Sequence, residues 1–147
     1  MKKLFMLGLF SVSLMATDIS KEVETLSPEV RGLLSQEMLH IEKGMHQIFS
    51  NIVKGNYEEV SKIAKDIEAS FIFKKELTKS QRSELKAKIS KEFIAMDSGF
   101  HEKAGKLAIA AEFDEKENIQ KYFSSMTDSC VQCHSKFATH RFTTFKD

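Results

Sequence analysis

The sequence predicts an all-α protein, an antiparallel up-and-down four-helix bundle that forms one domain. Apolar residues recur along most of the chain at spacings of three and four, which is the period of an amphipathic helix. Pro28 is the only proline and the chain has 6 glycines, so it lacks the turn residues that a succession of strands needs. A length of 147 residues suits a single hydrophobic core.

The first helix is predicted to begin after Ser27, which can act as its N-cap, with Pro28 at the first helical position. Gly55 is expected to end it, because glycine readily adopts the left-handed conformation that closes a helix. The apolar residues between them follow spacings of four and three, a pattern typical of a bundle seam. This seam comprises Leu34, Met38, Ile41, Met45, Ile48 and Ile52.

Two further helices follow in the same way. Asn56 can cap the second helix, and Thr78 with Gln81 has the spacing of a capping box for a long third helix. The second helix has its apolar face at Val60, Ile63, Ile67 and Phe71. The buried side of the third is expected to hold Leu85, Ile89, Phe93, Met96, Phe100, Leu107 and Ala111.

The fourth helix carries the chain's only two cysteines on its inward face. Asp114 and Glu117 have capping-box spacing and predict its start. Its apolar series again alternates spacings of four and three, so the cysteines continue the core stripe. The series is Ile119, Phe123, Met126, Cys130, Cys133 and Phe137.

Residues 1–16 have the layout of a signal peptide, with Lys2 and Lys3 before an apolar run and the small residue Ala16 after it. The run is short for a membrane span, so we expect cleavage, a mature domain over 17–147, export to the periplasm and no stable membrane insertion. The 22 basic and 21 acidic residues nearly balance. Since no basic face stands out, a nucleic acid partner is not expected.

Cys130, Cys133 and His134 form the motif Cys-x-x-Cys-His, which is the spacing of covalent c-type haem attachment. Residues three apart share a helix face, so both sulfurs can reach one edge of one haem c, and His134 can be the proximal ligand of its iron. Three alternatives are a disulfide redox pair, a zinc site that recruits His134 or His140, and two structural core cysteines.

A leader, four helices and this motif on the last helix together resemble the class II cytochromes c, the family of cytochrome c prime and its low-spin c-556-like relatives. The resemblance covers nearly all of the chain after Ala16. It implies a haem in the core near the C-terminal helix and a periplasmic monohaem cytochrome that carries single electrons between redox partner proteins. No catalytic carboxylate pair, serine or cysteine triad, or phosphate loop is visible, so an enzyme is not expected. The resemblance leaves a homodimer through the first two helices open.

The resemblance also implies a distal residue on the first helix, over the other face of the haem. Counting back from Gly55 reaches Met38 or Leu39, and the seam favours Met38 as a candidate distal iron ligand, which would give His/Met ligation. If Met38 only packs, the protein is a five-coordinate, cytochrome c prime-like binder of NO or CO. A remote alternative is a zinc-stabilised or structural secreted bundle.

Several other residues are considered for their place relative to the haem. The attachment helix of the family ends in an aromatic residue and an arginine, but here Phe137 is followed by Ala138, so Lys136 and Arg141 are the basic residues considered as substitutes. His101 is expected to approach the haem edge or act as an alternative distal ligand, or else to be a partly exposed polar residue. His40 and His46 are expected at the surface, and His140 near the haem edge. Met45, Met96 and Met126 are expected to pack.

Overall fold

The computed structural model describes residues 19–72 and 77–145, with side chains from Glu22 onward, so the predicted leader lies outside the described residues. Within these ranges all regular structure is helical. A 3₁₀ helix at Ile19–Thr25 comes first. Five α-helices follow: α1 at Pro28–Lys54, α2 at Tyr57–Ala69, α3 at Lys79–Lys88, α4 at Lys91–Glu112 and α5 at Lys116–Phe137, before a final 3₁₀ turn at Thr143–Phe145.

Helix α1 begins and ends as its sequence predicts. The Ser27 hydroxyl accepts a hydrogen bond from the Val30 amide at 3.3 Å, and Pro28 lies in the first turn. At the other end Gly55 has a φ of 71°, and its amide donates to the Ile52 carbonyl. This left-handed closure supplies donors to carbonyls that would otherwise lack partners.

The prediction of one long third helix is wrong, because the structure has two helices in this part of the chain. The Thr78 and Gln81 capping box forms and begins α3, but Ile89 is extended, with φ −99° and ψ 130°. The Ser90 hydroxyl then accepts from the Phe93 amide at 3.1 Å and begins α4. Glu22 completes this boundary, since its carboxylate accepts from the amide of Ser90 at 2.8 Å and from its hydroxyl at 3.0 Å.

The predicted capping box of Asp114 and Glu117 is also wrong. Asp114 has a φ of 54°, the left-handed conformation, and its amide donates to Ala111. The Glu115 amide donates to Ala110 at 2.9 Å, which completes a Schellman closure of α4. Asp114 therefore ends the preceding helix, and Glu115 occupies the N-cap of α5 without a side-chain capping bond.

The long helices form the predicted four-helix bundle. Helix α4 packs against both α2 and α5, and α1 packs against α2. Gly44 allows close approach of α1 and α2, because a Cβ there would lie 2.8 Å from Cδ1 of Ile67. The short α3 lies over one end of the bundle, where its residue Leu85 joins a second core cluster. No helix in the described ranges is long and apolar enough to cross a membrane.

The core consists of two clusters that meet near the C-terminal half of α5. The first cluster contains fourteen buried residues from α1, α2, α4 and α5, and Cys130 packs against it. The second contains Leu26, Val30, Leu34, Ile72, Leu85, Ile89, Phe93 and Phe137, and Cys133 packs against it. The two cysteines therefore lie at the junction of the clusters, where a cleft opens between α1, α4 and α5.

Candidate functional site

The cleft at this junction brings together the four residues that the sequence analysis singled out. The space in it that a water molecule can occupy is about 40 Å³. Cys130, Cys133 and His134 lie on its α5 wall, and Met38 lies on its α1 wall. The full lining is Met38, Ile41, Met96, Asp97, Phe100, Ser129, Cys130, Cys133 and His134.

The two cysteines are free thiols, each partly buried. Burial raises the pKa of the Cys130 thiol. It also raises the pKa of Cys133 to about 12, with a further contribution from the negative charge of Asp97. Redox-active cysteines need the opposite, an electropositive setting that lowers the thiol pKa. The environment therefore disfavours the disulfide redox interpretation.

His134 stands beside Cys133 on the same wall. Burial lowers the pKa of its imidazole, and the positive charge of Arg141 lowers it further. Both effects favour the neutral ring, which is the form that can ligate a metal. The imidazole also stacks on the Phe142 ring, with centroids 4.6 Å apart and an interplanar angle of 23°.

Lys136 and Arg141, the two basic residues considered as substitutes for the family's arginine, differ in their surroundings. Lys136 forms an ion pair with Glu92 of α4. The guanidinium of Arg141 instead lies 5.9 Å from the centroid of the Phe142 ring, on the turn that follows α5. Arg141 is therefore the one whose charge acts on His134.

The α1 wall has the register that its seam predicts. Met38 lines the cleft and packs against the first core cluster, whereas Leu39 is 60% exposed. Met45 packs against the same cluster and is not part of the lining. Met96 of α4 does line the cleft, so two thioethers face this space. The apolar periodicity had placed Met96 in the core without indicating that it borders a cleft.

His101 is buried, and the expectation of a partly exposed side chain is wrong. It is 1% exposed, since α4 packs against helices on two sides and little of its surface is left to solvent. Its Nδ1 lies 2.7 Å from the Ile67 carbonyl, so this nitrogen donates and carries the proton. His101 does not line the cleft.

Two buried carboxylates beside His101 went unnoticed in the sequence. The Nε2 atom of His101 lies 3.5 Å from Oε1 of Glu37 and 3.8 Å from Oδ1 of Asp97. The same Glu37 oxygen accepts the Ile72 amide at 2.7 Å. Among the described residues, Oε2 of Glu37, Oδ2 of Asp97 and Nε2 of His101 have no hydrogen-bond partner.

Asp97 connects this buried cluster to the cleft. Burial and, secondarily, the charge of Glu37 raise the pKa of Asp97, His101 opposes both, and the result is a pKa of about 7. A signal for both carboxylates was present in the sequence. Glu37 lies three residues after Leu34 on the α1 seam, and Asp97 lies four residues after Phe93 on the buried side of α4. A charged residue three or four positions from a buried apolar residue shares its helix face and is expected to be buried with partners.

The remaining histidines do not line the cleft. His40 and His46 are exposed, as expected. The Nδ1 atom of His140 lies 3.3 Å from a carboxylate oxygen of Glu24 in the N-terminal 3₁₀ helix, and this histidine is not part of the lining. Within residues 19–72 and 77–145, no three His, Cys, Asp or Glu side chains are grouped so that they could hold a metal ion. The zinc alternative therefore lacks a ligand set in this part of the chain.

One comparison with known proteins decides the family. The family model described as cytochrome c′ matches residues 32–138, which include every residue of the cleft lining. The chain belongs to the cytochrome c′ family. No curated protein and no solved structure matches the chain.

Membership of the cytochrome c′ family makes this protein a c-type haem cytochrome, of a kind that is generally a non-catalytic haem carrier, and it implies a haem c. The cleft residues have the donors that such a group requires. Two half-buried thiols and an imidazole share one wall, a thioether faces them, and Ile41 and Phe100 supply apolar surface. The chemistry of the donor set therefore fits the cofactor of the cytochrome c′ family.

Proposed function

We propose that the protein is exported to the periplasm, carries one covalently attached haem c, and transfers single electrons between redox partner proteins. The observation that carries this proposal is that Met38 lines the same cleft as Cys130, Cys133 and His134, while Leu39 points to solvent. The signal-peptide layout of residues 1–16 supports export, because covalent haem attachment normally takes place outside the cytoplasm.

Each cleft residue has one role in the proposal. Cys130 and Cys133 hold the haem by thioether bonds, and His134 is the proximal ligand. Met38 is the distal ligand, and a thioether paired with histidine raises the reduction potential of the iron. The haem itself supplies one-electron exchange at its iron.

The protein surrounds these ligands with a largely apolar shell. Ile41 and Phe100 line the cleft and also belong to the first core cluster, so packing fixes their positions. Such a shell limits water access and lowers the local dielectric, both of which tune the potential. The lowered pKa of His134 keeps its imidazole neutral and ready to ligate.

The second candidate function is binding of NO or CO at a five-coordinate iron. It follows if Met38 serves only as a packing residue, and one observation favours it. Met38 is partly buried against the first core cluster, as a methionine without any ligand role would be. In that case the distal side is open to a small gaseous ligand.

The optical spectrum of the reduced protein, with and without CO, separates the two functions. Electron transfer predicts a sharp low-spin α band that CO does not change. A broad high-spin spectrum that shifts with CO would instead support gas binding. The test protein is the full exported chain matured by the haem-attachment machinery of the cell.

Two methionine variants assign the distal ligand. Met38→Ala should convert the low-spin spectrum into one that is high-spin and responds to CO. Met96→Ala is the matched control, since Met96 is the other thioether of the cleft, and it should retain the low-spin spectrum. An unchanged spectrum in Met38→Ala would contradict distal ligation by Met38.

A further inference from the structure

The chain folds back on itself directly after α5. The amides of Arg141 and Phe142 both donate to the Ala138 carbonyl at 2.9 Å. The Phe145 amide then donates to the Phe142 carbonyl at 3.1 Å and closes the last 3₁₀ turn. Because two donors share one carbonyl, the position of residue 142 relative to the end of α5 is fixed by the backbone.

This turn places an aromatic ring against His134. The Phe142 and His134 rings are nearly parallel, at 23°, with 4.6 Å between their centroids. A stacked pair at this distance restricts rotation of either ring, because turning one of them edge-on would bring it into the other. Phe142 is 37% exposed, so the stack lies at the surface side of His134.

Among the described residues the imidazole has no other directional contact, and the charge of Arg141 acts on it without a hydrogen bond. In residues 19–72 and 77–145, neither ring nitrogen of His134 has a hydrogen-bond partner from a side chain or the backbone. The histidines with such contacts are His101, bonded to Ile67, and His140, paired with Glu24. The χ2 torsion of an aromatic side chain is broad when nothing restricts it, so the stacked ring is what selects the plane of the imidazole.

We propose that Phe142 is a positioning residue for His134, whose ring fixes the plane of the imidazole and thereby the orientation of the proximal ligand at the iron. This inference rests on the proposed function, in which His134 ligates the haem. The ligand is oriented by a neighbour outside the coordination shell, and such neighbours tune a metal site as well as hold it.

The test compares variants of the haem-loaded, exported protein. Phe142→Leu keeps an apolar side chain but removes the flat ring, and Phe142→Tyr keeps the ring. The control is Phe145→Ala, which removes a ring of equal exposure, 37%, from the same turn. Each oxidised protein is examined by electron paramagnetic resonance and by proton NMR of the haem methyl groups, both of which report the imidazole plane.

The inference predicts that Phe142→Leu shifts the g-values and changes the spread of the haem methyl resonances, together with the reduction potential. Phe142→Tyr and Phe145→Ala should match the wild type in all three. Wild-type spectra in Phe142→Leu would overturn the inference. If Phe142→Leu does not accumulate with haem, Phe142→Met takes its place, because it also keeps an apolar side chain and removes the ring. The same spectral shifts are then expected, and wild-type spectra would again overturn the inference.

A haemochrome assay on every sample keeps this inference separate from the proposed function. Wild-type protein without attached haem would contradict the proposed function itself. Attached haem with spectra that do not respond to Phe142→Leu would contradict only the role of Phe142.

Discussion

Three ionisable side chains, Glu37, Asp97 and His101, are buried against one another beside the cleft. None is more than 7% exposed, and each leaves one polar atom without a hydrogen-bond partner among the described residues. Burial of a charge is costly unless it is paired, and the usual response is a shift of pKa toward the neutral form. Asp97 shows that response, with its pKa raised from 3.8 to about 7.

This shift predicts a pH-dependent stability. Because the pKa of Asp97 is raised on folding, the folded protein binds more protons than the unfolded chain between the two pKa values. The free energy of unfolding therefore falls as pH rises from about 4 to about 7, and the full penalty remains at higher pH. Within the described part of the chain Asp97 faces Glu37 of α1, His101 of α4 and Cys133 of α5, none of which is a lysine or an arginine.

Asp97→Asn removes the titration and tests this prediction. The variant should exceed the wild type in free energy of unfolding at about pH 8 by on the order of 2–4 kcal/mol, with little difference near pH 4. Urea unfolding followed by circular dichroism at both pH values measures this. Asp128→Asn, at an exposed position of α5, should follow the wild type at both. A stability gain for Asp97→Asn that is the same at both pH values would contradict the raised pKa.

At the scale of the helices, local signals predict most of the boundaries. The caps at Ser27, Asn56 and Thr78 form as expected, because each capping residue and its acceptor or donor lie within one turn. Ser90 differs, since the break between α3 and α4 is completed by Glu22, which lies 68 residues earlier in the chain. A pattern read along a short window does not contain such a partner.

Asp114 shows the second limit of local patterns. The spacing of Asp114 to Glu117 fits a capping box, but an aspartate is also suited to the left-handed position that ends a helix. The connection between α4 and α5 is too short for Asp114 both to end α4 and to cap α5. The carbonyls at the end of α4 take the amides of Asp114 and Glu115, so the closure of α4 prevails. Only the geometry of the connection decides between the two uses.

Two glycines, one inside α1 and one directly after it, give a matched test of the helix closure. Gly55 has a φ of 71°, so Gly55→Ala should lower the free energy of unfolding by about 1–2 kcal/mol. Gly32 lies inside the helix with no atom within 4 Å of an added Cβ, so Gly32→Ala should raise it by about 0.5–1 kcal/mol. Thermal and urea unfolding of both variants measure the difference. Equal effects of the same sign would contradict the left-handed closure at Gly55.

At the scale of the whole molecule, the site joins one local motif to residues distant in sequence. Cys130, Cys133 and His134 are recognisable from sequence because they are nearly contiguous on one helix. The place of Met38 followed from the α1 seam, and the exposure of Leu39 agrees with that register. Asp97 and Glu37 could not be assigned to a buried cluster from periodicity alone, because its members lie on α1, on α4 and in the connection after α2 and are brought together only by packing.

The stacking of Phe142 on His134 is a further case that sequence could not predict. The turn after α5 depends on two amides sharing the Ala138 carbonyl, and no motif in the sequence specifies it. His134 of α5 is thus contacted by a residue that follows the last long helix.

The central claim is that one haem is bound covalently through Cys130 and Cys133. The most direct test is the intact mass of the exported protein, combined with a pyridine haemochrome assay on the same sample. The account predicts the mass of the mature chain plus one haem, a haemochrome typical of two thioether bonds, and loss of the added mass when both cysteines are replaced by serine. A mass equal to that of the amino acids alone in correctly exported protein would contradict it.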